Sequence, residues 1–356
     1  MKQGWEYKKF ETCINKTPKP KQVKTEDYNS GTKYPIVSQE DKLISGYYDD
    51  ESYVFHIDSP VVIFGDHTRV LKYVDFDFVV GADGVKIISP KQDLNAKFLL
   101  YYLQWYKIPN LGYSRHYKLL KELNIPLPPK STQLAIVSEL DKINELIRLK
   151  KEQLKDFDNL AQSLFYEMFG DPVENEKGWE VKKLVEVSSL INGRAYKQNE
   201  LLNEGKYKVL RVGNFFTNSN YYYSNLELDD EKYCYKGDLL FAWSASFGAF
   251  IWDEGKTIFH YHIWRVLFDE KNLNIYYYKY LLNTMTNFFM NDVHGIGMVH
   301  LTKAGMEQYN LPLPPLPLQH LFAQRIEQIE HQKAEVQKAI TDLETLLASR
   351  MQYWFE

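Results

Sequence analysis

Apolar side chains recur at alternating spacings of four and three residues in two long stretches of the chain. This spacing is typical of helices that pack lengthwise against a second helix, as in a coiled coil. It predicts two helices, each roughly 58 Å long at 1.5 Å per residue. We call the repeating apolar sites the seam positions. They are Ile136, Leu140, Ile143, Ile147, Leu154 and Phe157 in the first stretch, and Phe322, Ile326, Ile329, Val336, Ile340 and Leu343 in the second.

The two helical stretches are copies of one another at a constant offset. Leu127-Pro128-Pro129 recurs as Leu313-Pro314-Pro315, and Gln133 recurs as Gln319, 186 positions later. The opening of the chain also recurs, because the pattern Gly-Trp-Glu at residue 4 returns at residue 178. A long internal repeat of this kind indicates that the chain is built from one unit used twice. Each unit is a domain followed by a helix.

Three charged residues interrupt the seam positions. Lys150 lies in the first helix, whereas Lys333 and Arg350 lie in the second, at positions that the repeat does not pair. Such residues can fix the register of two helices or bind a partner. They can also extend their charged ends into water from an otherwise apolar face.

The segments between the helices are rich in β-branched and aromatic residues. Short runs of this kind, bounded by turn residues, predict strands around Val61–Phe64, Val85–Ile88, Leu239–Trp243 and Ile263–Leu267, among others. A helix is expected near residues 94–103 and again near 273–282. We therefore predict an α+β fold with domains at 1–129 and 171–315. Helices at 130–170 and 316–356 would pair antiparallel and give the chain pseudo-two-fold symmetry.

Composition narrows the classes of protein to which the chain can belong. The net charge is −4, which is low for a protein that holds DNA unaided through many phosphates. Two cysteines are too few for a disulfide framework, and no apolar run reaches the length of a membrane span. The opening residues lack a signal peptide, so we expect a cytoplasmic protein without a membrane partner.

Motifs for chemistry are scarce. The chain has no Asn/Asp-Pro-Pro-Tyr/Phe tetrapeptide for methylation of amino groups, no glycine-rich cofactor loop and no phosphate-binding loop. His260 and His262 alternate as metal ligands can, but no cysteine or carboxylate set accompanies them. Asp253-Glu254-Gly255-Lys256 is better explained as a hairpin turn than as part of a nuclease site. We expect no catalytic residue and no metal.

The repeated Leu-Pro-Leu-Pro-Pro-x-x-x-Gln segment and the long helix that ends at Gly170-Asp171-Pro172 resemble the specificity subunits of type I restriction–modification systems. The restart at Gly178-Trp179-Glu180 and the segment from Gly237 to Ser244 resemble that family as well. The first domain departs from the Gly-Asp-Leu-Leu form and has Ser59-Pro60-Val61-Val62 instead. The likeness covers essentially the whole chain.

The resemblance implies two target recognition domains, each recognising one half of a bipartite double-stranded DNA site. It implies that the helices separate the half-sites and bind two modification (methyltransferase) subunits, with restriction subunits joining the complex. S-adenosylmethionine would belong to the modification subunits. ATP and Mg²⁺ would belong to the restriction subunits.

Polar and aromatic residues in turns beside the predicted strands are the best candidates for DNA contacts. An arginine there can pair bidentately with guanine O6 and N7. The alternative for each residue is an ordinary solvated loop. The candidates in the first domain are His67, Thr68, Arg69, Lys72, Tyr113, Ser114, Arg115, His116 and Lys118. Those in the second are Lys197, Ser244, Ser246, Phe247, Tyr261, His262, His300 and Lys303.

Three alternatives to a specificity subunit differ in the sequence features that they need. The chain could serve another modification or restriction system that recognises bipartite sites. A fused methyltransferase–nuclease would need the cofactor motifs that the sequence lacks. A coiled-coil scaffold without a role in nucleic-acid binding would need only the helices. Sequence-dependent methylation by a partner would distinguish the specificity subunit from the scaffold.

Overall fold

The computed structural model divides the chain into two compact units. The first comprises Met1–Glu152 and Gln337–Glu356, and the second comprises Gln153–Val336. The structure describes residues 4–112, 114–217, 219–244, 246–292 and 301–356. Both units mix helix and strand, in agreement with the predicted α+β class. No helix in these ranges is both long and apolar enough to cross a membrane.

The first unit begins with a strand and ends with the first half of a long helix. Its strands are β1 (Glu6–Lys9), β2 (Gln22–Val23), β3 (Tyr34–Val37), β4 (Gly46–Tyr48), β5 (Val54–Phe55), β6 (Val61–Gly65), β7 (Leu71–Val74), β8 (Phe78–Gly81), β9 (Val85–Ile88) and β10 (Asn124–Leu127). Its helices are α1 (Phe10–Cys13), α2 (Ala96–Tyr106), α3 (Tyr117–Lys121) and α4 (Lys130–Phe169), of which α4 continues into the second unit.

Strand β6 is the centre of the first unit. It lies between β7 and β9 in an antiparallel sheet, and a second sheet has the strand order β2-β8-β3-β4, with β5 also paired to β8. Val62 and Phe64 pack towards α2, whereas Val61 and Ile63 pack towards the second sheet. Because both faces are covered, the strand is apolar at every position instead of alternating with polar residues.

The second unit has the same kinds of elements. Its strands are β11 (Glu180–Lys183), β12 (Ser188–Asn192), β13 (Tyr207–Leu210), β14 (Tyr222–Ser224), β15 (Tyr233–Cys234), β16 (Leu239–Ser244), β17 (Ser246–Ile251), β18 (Thr257–Phe259), β19 (Ile263–Phe268) and β20 (Asn310–Leu313). Its helices are α5 (Leu184–Val187), α6 (Val212–Phe216), α7 (Ile275–Thr284), α8 (Thr286–Asp292), α9 (Lys303–Met306) and α10 (Leu316–Phe355), which ends in the first unit.

The strand orders show that the two units share one scaffold. The order β12-β19-β16-β17 contains the counterpart of β9-β6-β7, and β13 pairs parallel with β18 as β3 does with β8. Strand β16 is buried on both faces, with Phe241 towards the helices and Leu240 towards the other sheet. The turn after β6 therefore corresponds to the turn after β16, and the turn after β8 corresponds to the turn after β18.

In each unit the two long helices run antiparallel. In the first unit Arg350 of α10 pairs with Glu139 of α4, and Lys151 pairs with Glu344 at 2.8 Å. In the second unit the Lys333 ammonium lies 2.7 Å from the Asp158 carboxylate. Lys333 and Arg350 thus link one helix to the other, which supports a role of these two residues in fixing the register.

Burial of the seam positions agrees with the predicted pattern. Nine of the twelve positions are fully buried, and the other three, Leu154, Phe157 and Leu343, are half-buried. At one end of this packing Phe355 lies against Phe98 and Tyr102 of α2 in the first unit. The 4-3 spacing therefore predicted correctly which helix faces are covered.

The repeated glutamine explains the repeated sequence motif. Gln133 is buried, and its amide donates to the carbonyls of Pro128 (3.0 Å) and Asp93 (2.9 Å) while its Oε1 accepts from the backbone N–H of Asn95. This one side chain joins the proline segment, the start of α2 and the start of α4. A proline residue has no N–H, but its carbonyl is still a hydrogen-bond acceptor. When that carbonyl is buried, a donor is needed nearby, and the glutamine amide supplies it.

Gln319 makes the same contacts in the second unit. Its amide donates to the carbonyls of Pro314 (2.8 Å) and Asn272 (2.9 Å), and its Oε1 accepts from the N–H of Asn274 at 2.8 Å. The fixed spacing from proline to glutamine follows from this geometry.

Gly170 ends α4 with a positive φ of 75°, the conformation expected of a residue just past a helix end.

The proline segments are also strands, which the sequence did not predict. Pro126 of β10 faces Tyr7 of β1, and Pro312 of β20 faces Val181 of β11. Each ladder has two strands, and proline is tolerated at such edges because it lacks the N–H that an inner strand would use. The extended conformation was predicted, but the partner strand lies more than a hundred residues away in the chain.

Candidate nucleic-acid interface

Four loops form one edge of the first unit, and three of them meet around Gln39. Its side-chain amide donates to the carbonyl of Asp83 at 2.9 Å, and its Oε1 accepts from the N–H of His67. The Thr68 hydroxyl donates to the Gln39 carbonyl at 2.7 Å. The loop after β3 is thereby joined to the turns that follow β6 and β8. We call this group of loops the first edge.

A buried histidine joins the fourth loop to the first edge. His116 is completely buried, and its Nε2 accepts from the N–H of Leu111 at 3.0 Å. Its Nδ1 lies 2.9 Å from the Asp66 carbonyl, so the neutral ring carries its proton on Nδ1 and donates it there. The Asp66 carboxylate accepts from the N–H of Tyr117 at 2.7 Å. Residues 108–112 and 114–116 are thus held against the turn after β6.

Arg69 fastens the same loop at its other end. It adopts a left-handed conformation with φ of 64°, and its guanidinium donates to the Ile108 carbonyl at 3.1 Å. A non-glycine residue in this region carries strain, which the surrounding contacts hold in place. Arg69 is half-buried, and one of its donors is already used inside the protein.

Lys72 has an interior position. It is 6% exposed, and its ammonium donates to the backbone carbonyls of Ser38 (2.9 Å) and Lys42. Burial lowers the pKa of this lysine. This placement corrects the predicted DNA contact, because a side chain enclosed in this way holds the loop after β3 and does not reach solvent.

The other first-domain candidates differ in exposure. His67, Thr68, Arg115 and Lys118 are exposed, and Ser114 is half-buried. His116 is buried and positions the loop, so the predicted contact is replaced by a structural role. Tyr113 lies outside the described residues. The exposed members share the first edge or its neighbouring helix α3.

The second unit has aromatic and histidine residues at the corresponding turns, which we call the second edge. Trp243, at the end of β16, stacks on Trp264 with ring centroids 5.2 Å apart. Its indole N–H donates to the carbonyl of Tyr261, in the turn after β18, at 3.0 Å. The Tyr261 and His262 rings lie 3.9 Å apart. With the hydrogen bond from the Trp243 backbone N–H to the His262 carbonyl at 3.1 Å, these contacts join the end of β16 to the turn after β18.

Two clefts open on either side of His262. A cleft of about 660 Å³ is lined by Arg211, Asn214, Tyr222 and His260 among others, and we call it the Arg211 cleft. A second cleft, of about 630 Å³, is lined by residues of the second edge together with Thr302 and Lys303 at the start of α9. Both are concave surfaces that present polar groups and rings to solvent.

The ionisation of His260 follows from its surroundings. Burial lowers its pKa to about 4, and the nearby His262 and Arg211 act in the same direction. The ring is therefore neutral at physiological pH. Its Nδ1 lies 3.4 Å from the N–H of His262 and accepts from it. In the described ranges no three His, Cys, Asp or Glu side chains are grouped to hold a metal ion.

The second-domain candidates also separate by position. Tyr261 and Lys303 are exposed, and Ser246 and His262 are half-buried. Ser244 and Phe247 are buried, which corrects their prediction as contact residues. Lys197 is exposed but lines neither cleft. His300 lies outside the described residues.

Sequence reasoning missed several residues of both edges. Gln39 was not a candidate, although its side chain joins three loops of the first edge. Arg211 and Asn214 were missed as well. Arg211 directly follows the strand residues 207–210, and this position in the sequence favours a continuation of that strand. An arginine that ends an otherwise apolar strand was the available signal.

Comparisons with known proteins agree with this architecture. The family model described as "Type I restriction modification DNA specificity domain" matches residues 2–156 and again residues 176–345. The chain is 25% identical over 290 residues to a Haemophilus influenzae protein named as a type I restriction enzyme specificity subunit, covering 76% of this chain and 74% of that protein. It is 22% identical over 268 residues to the MjaVIII specificity subunit of Methanocaldococcus jannaschii, covering 65% of this chain and 62% of that one.

A solved structure resembles the whole fold. The S subunit of a type I restriction–modification system from M. genitalium matches with a TM-score of 0.57 and 15% identity, covering 99% of this chain and 96% of that chain. At this identity the likeness concerns the fold alone. With both copies of the family model in place, the chain belongs to the type I restriction–modification DNA specificity family. Its function is recognition of a DNA sequence within such a system.

Proposed function

We propose that the chain recognises a bipartite DNA site, with one half-site contacted by each unit. The observation that carries this proposal is one scaffold built twice with different side chains at corresponding turns. After β6 the first unit has Asp66-His67-Thr68-Arg69 before β7 begins at Leu71, whereas in the second unit β17 begins at Ser246, two residues after β16 ends. A shared scaffold with divergent loops suits two surfaces that recognise different sequences.

The exposed groups of the first and second edges suit contacts with DNA bases better than strong electrostatic binding to the phosphates. Base edges in the major groove are recognised by hydrogen bonds and apolar contacts, whereas phosphate contacts mainly position the protein. A chain of net charge −4 gains little from phosphates alone. We therefore propose that partner subunits supply much of the affinity for DNA, while the edges supply the choice of sequence.

The long helices are proposed to bind the partners. Leucines stay exposed on the outer faces of α4 and α10, including Leu146, Leu149, Leu160 and Leu346. Exposed apolar side chains on a rigid helix suit a protein interface. The proposed partners are two modification subunits, which would carry S-adenosylmethionine, and restriction subunits, which would carry ATP and Mg²⁺. The chain itself is proposed to be non-catalytic.

The experiment uses the full chain assembled with its cognate modification subunits. The complex methylates a pool of DNA duplexes randomised at all positions, and the methylated duplexes are sequenced. The expected result is two short conserved blocks separated by an unspecified spacer. Methylation without sequence preference, or a preference that persists when this chain is left out, would refute the proposal.

A further inference from the structure

The two units differ at the start of the loop that follows β3 in the first unit and β13 in the second. In the first unit the residue after β3 is Ser38, which is buried while the Lys72 ammonium holds its carbonyl. In the second unit the residue after β13 is Arg211, which is exposed and lines the Arg211 cleft of about 660 Å³. The same place in the scaffold is filled in one unit and open in the other.

The Arg211 cleft presents hydrogen-bonding groups without negative charge. Its described lining includes the amides of Asn203, Asn214 and Asn220, two tyrosines and the two histidines at 260 and 262, but no carboxylate. The Asn214 amide is used within the protein, because it accepts from the N–H of Arg211 and donates to the carbonyl of Ser219. The cleft is therefore suited to a ligand rich in hydrogen-bond acceptors.

Arg211 differs from Arg194 and Arg265, the two other arginines of this unit that lie outside its long helices. Arg194 is paired with Glu200 at 2.8 Å, and Arg265 is half-enclosed beside Asp238 at 3.6 Å. The Arg211 guanidinium instead lies over the Tyr222 ring, 5.3 Å from its centroid, and forms no ion pair with the described residues. A ring beneath a guanidinium fixes its plane and leaves its outward N–H groups available.

We propose that Arg211 is a specificity-determining residue that recognises a guanine in the half-site contacted by the second unit. A planar guanidinium offers two parallel donors, which match the O6 and N7 acceptors that guanine presents in the major groove. The cleft continues to the second edge through His262, which lines both clefts. This inference rests on the proposed function and adds the base class that one residue selects.

The test compares Arg211→Ala and Arg211→Lys with the unaltered chain, each as a full chain assembled with the modification subunits. Each complex methylates a duplex pool randomised in both half-sites, at two salt concentrations. The matched control is Lys236→Ala, which removes one exposed cation from the turn before β16, at the opposite end of that strand from the second edge. The control is expected to retain both half-sites.

Arg211→Ala is expected to lose guanine preference at one position of one half-site by roughly 10- to 100-fold. Arg211→Lys should retain part of that preference, because an ammonium can still donate to O6 and N7 but lacks the planar pair of parallel donors. The other half-site stays unchanged. A uniform loss of methylation across all sequences in Arg211→Ala, with Arg211→Lys restoring it, would show a phosphate contact and overturn the proposal. Unchanged preferences in both variants would overturn it as well.

A failure of the inference is distinct from a failure of the proposed function. If the unaltered chain directs methylation to two half-sites while the variants change neither, only the role of Arg211 is wrong. If the unaltered chain itself shows no sequence preference, the proposed function fails and the inference fails with it.

Discussion

The first and second edges are made on the same scaffold, yet they are held together in opposite ways. In the first, polar side chains join the loops from within, with Gln39, Lys72 and His116 all donating to or accepting from backbone groups. In the second, stacked rings of β16 and β19 and a hydrogen bond from Trp243 to Tyr261 join the segments, and the Arg211 cleft lies open beside them. A scaffold with fixed strands can therefore vary both the side chains it presents and the shape of the surface.

The buried glutamine that both units share, Gln133 in the first and Gln319 in the second, gives the largest expected effect on stability. Gln133→Leu and Gln319→Leu each remove a buried amide and leave two carbonyls and one N–H without partners. Each change is expected to lower the free energy of unfolding by about 3 kcal/mol, measured by denaturant titration. The exposed Gln324→Leu on α10 serves as the control and should change little. A loss in one unit only would break the equivalence of the two scaffolds.

In the second unit, His260 should make the free energy of unfolding depend on pH. The folded-state pKa of His260 is about 4, below its ordinary value of 6.5. Between these values the unfolded chain binds a proton that the folded chain does not, so the free energy of unfolding falls as the pH decreases from about 6.5 to about 4. At pH 5 the free energy of unfolding should be lower than at neutral pH by roughly 2 kcal/mol.

His260→Asn should flatten that part of the pH profile. The asparagine Oδ1 can still accept from the N–H of His262, whereas its amide does not titrate. Hydrogen exchange in β13 and β18 at pH 5 and pH 7 is the measurement that assigns the effect to the second unit. An identical profile in the variant and the unaltered chain would show that His260 does not cause it.

Lys72→Met tests whether a buried cation fills the first edge. The variant loses the donor to Ser38 and Lys42 but also avoids the cost of burying a charge, so the free energy of unfolding should fall by only about 1 kcal/mol. The loop at residues 38–45 should nevertheless exchange its amide hydrogens faster. Unaltered exchange there would mean that Lys72 does not hold the loop.

The interhelical ion pairs give the smallest expected effects. Glu139→Gln weakens the pair with Arg350 in the first unit, and Asp158→Asn weakens the pair with Lys333 in the second. The Glu139 side chain is 32% exposed and that of Asp158 is 64% exposed, so we expect losses of about 0.7 and about 0.3 kcal/mol. Thermal unfolding of both variants would measure the difference, and a larger loss in Asp158→Asn would contradict the ranking.

Hydrogen bonding to Arg350 lowers the pKa of Glu139, so the folded chain binds its proton less readily than the unfolded chain. This pair therefore stabilises the protein above the ordinary carboxyl pKa and loses its effect as the pH falls through the lowered value. In the Glu139→Gln variant that acid-dependent loss should be smaller. Measuring the free energy of unfolding of the variant and of the unaltered chain at two acidic pH values checks this expectation.

The sequence predicted the elements whose pattern is local. Spacing alone identified the covered faces of α4 and α10, and runs of β-branched residues identified β6, β9, β16 and β19. It did not predict the ladders of β1 with β10 and β11 with β20, because pairing between distant segments leaves no periodic signal. The repeated glutamine was visible as a motif, but its three hydrogen bonds were not.

The candidate site was less predictable than the fold. Lysine is usually a surface residue, so Lys72 was assigned to solvent although β7 turns it inward next to Val74. His116 was chosen for its chemistry, which it uses to position a loop. Arg211 required knowledge of where β13 ends and of the empty space beside it, neither of which one sequence contains.

The central claim is that each unit selects one half-site. Its most direct measurement exchanges residues 11–122 for the corresponding residues of another member of the family and sequences the DNA that the assembled complex methylates. We expect one half-site to change while the other half-site and the spacer stay the same. A change in both half-sites, or in neither, would contradict it.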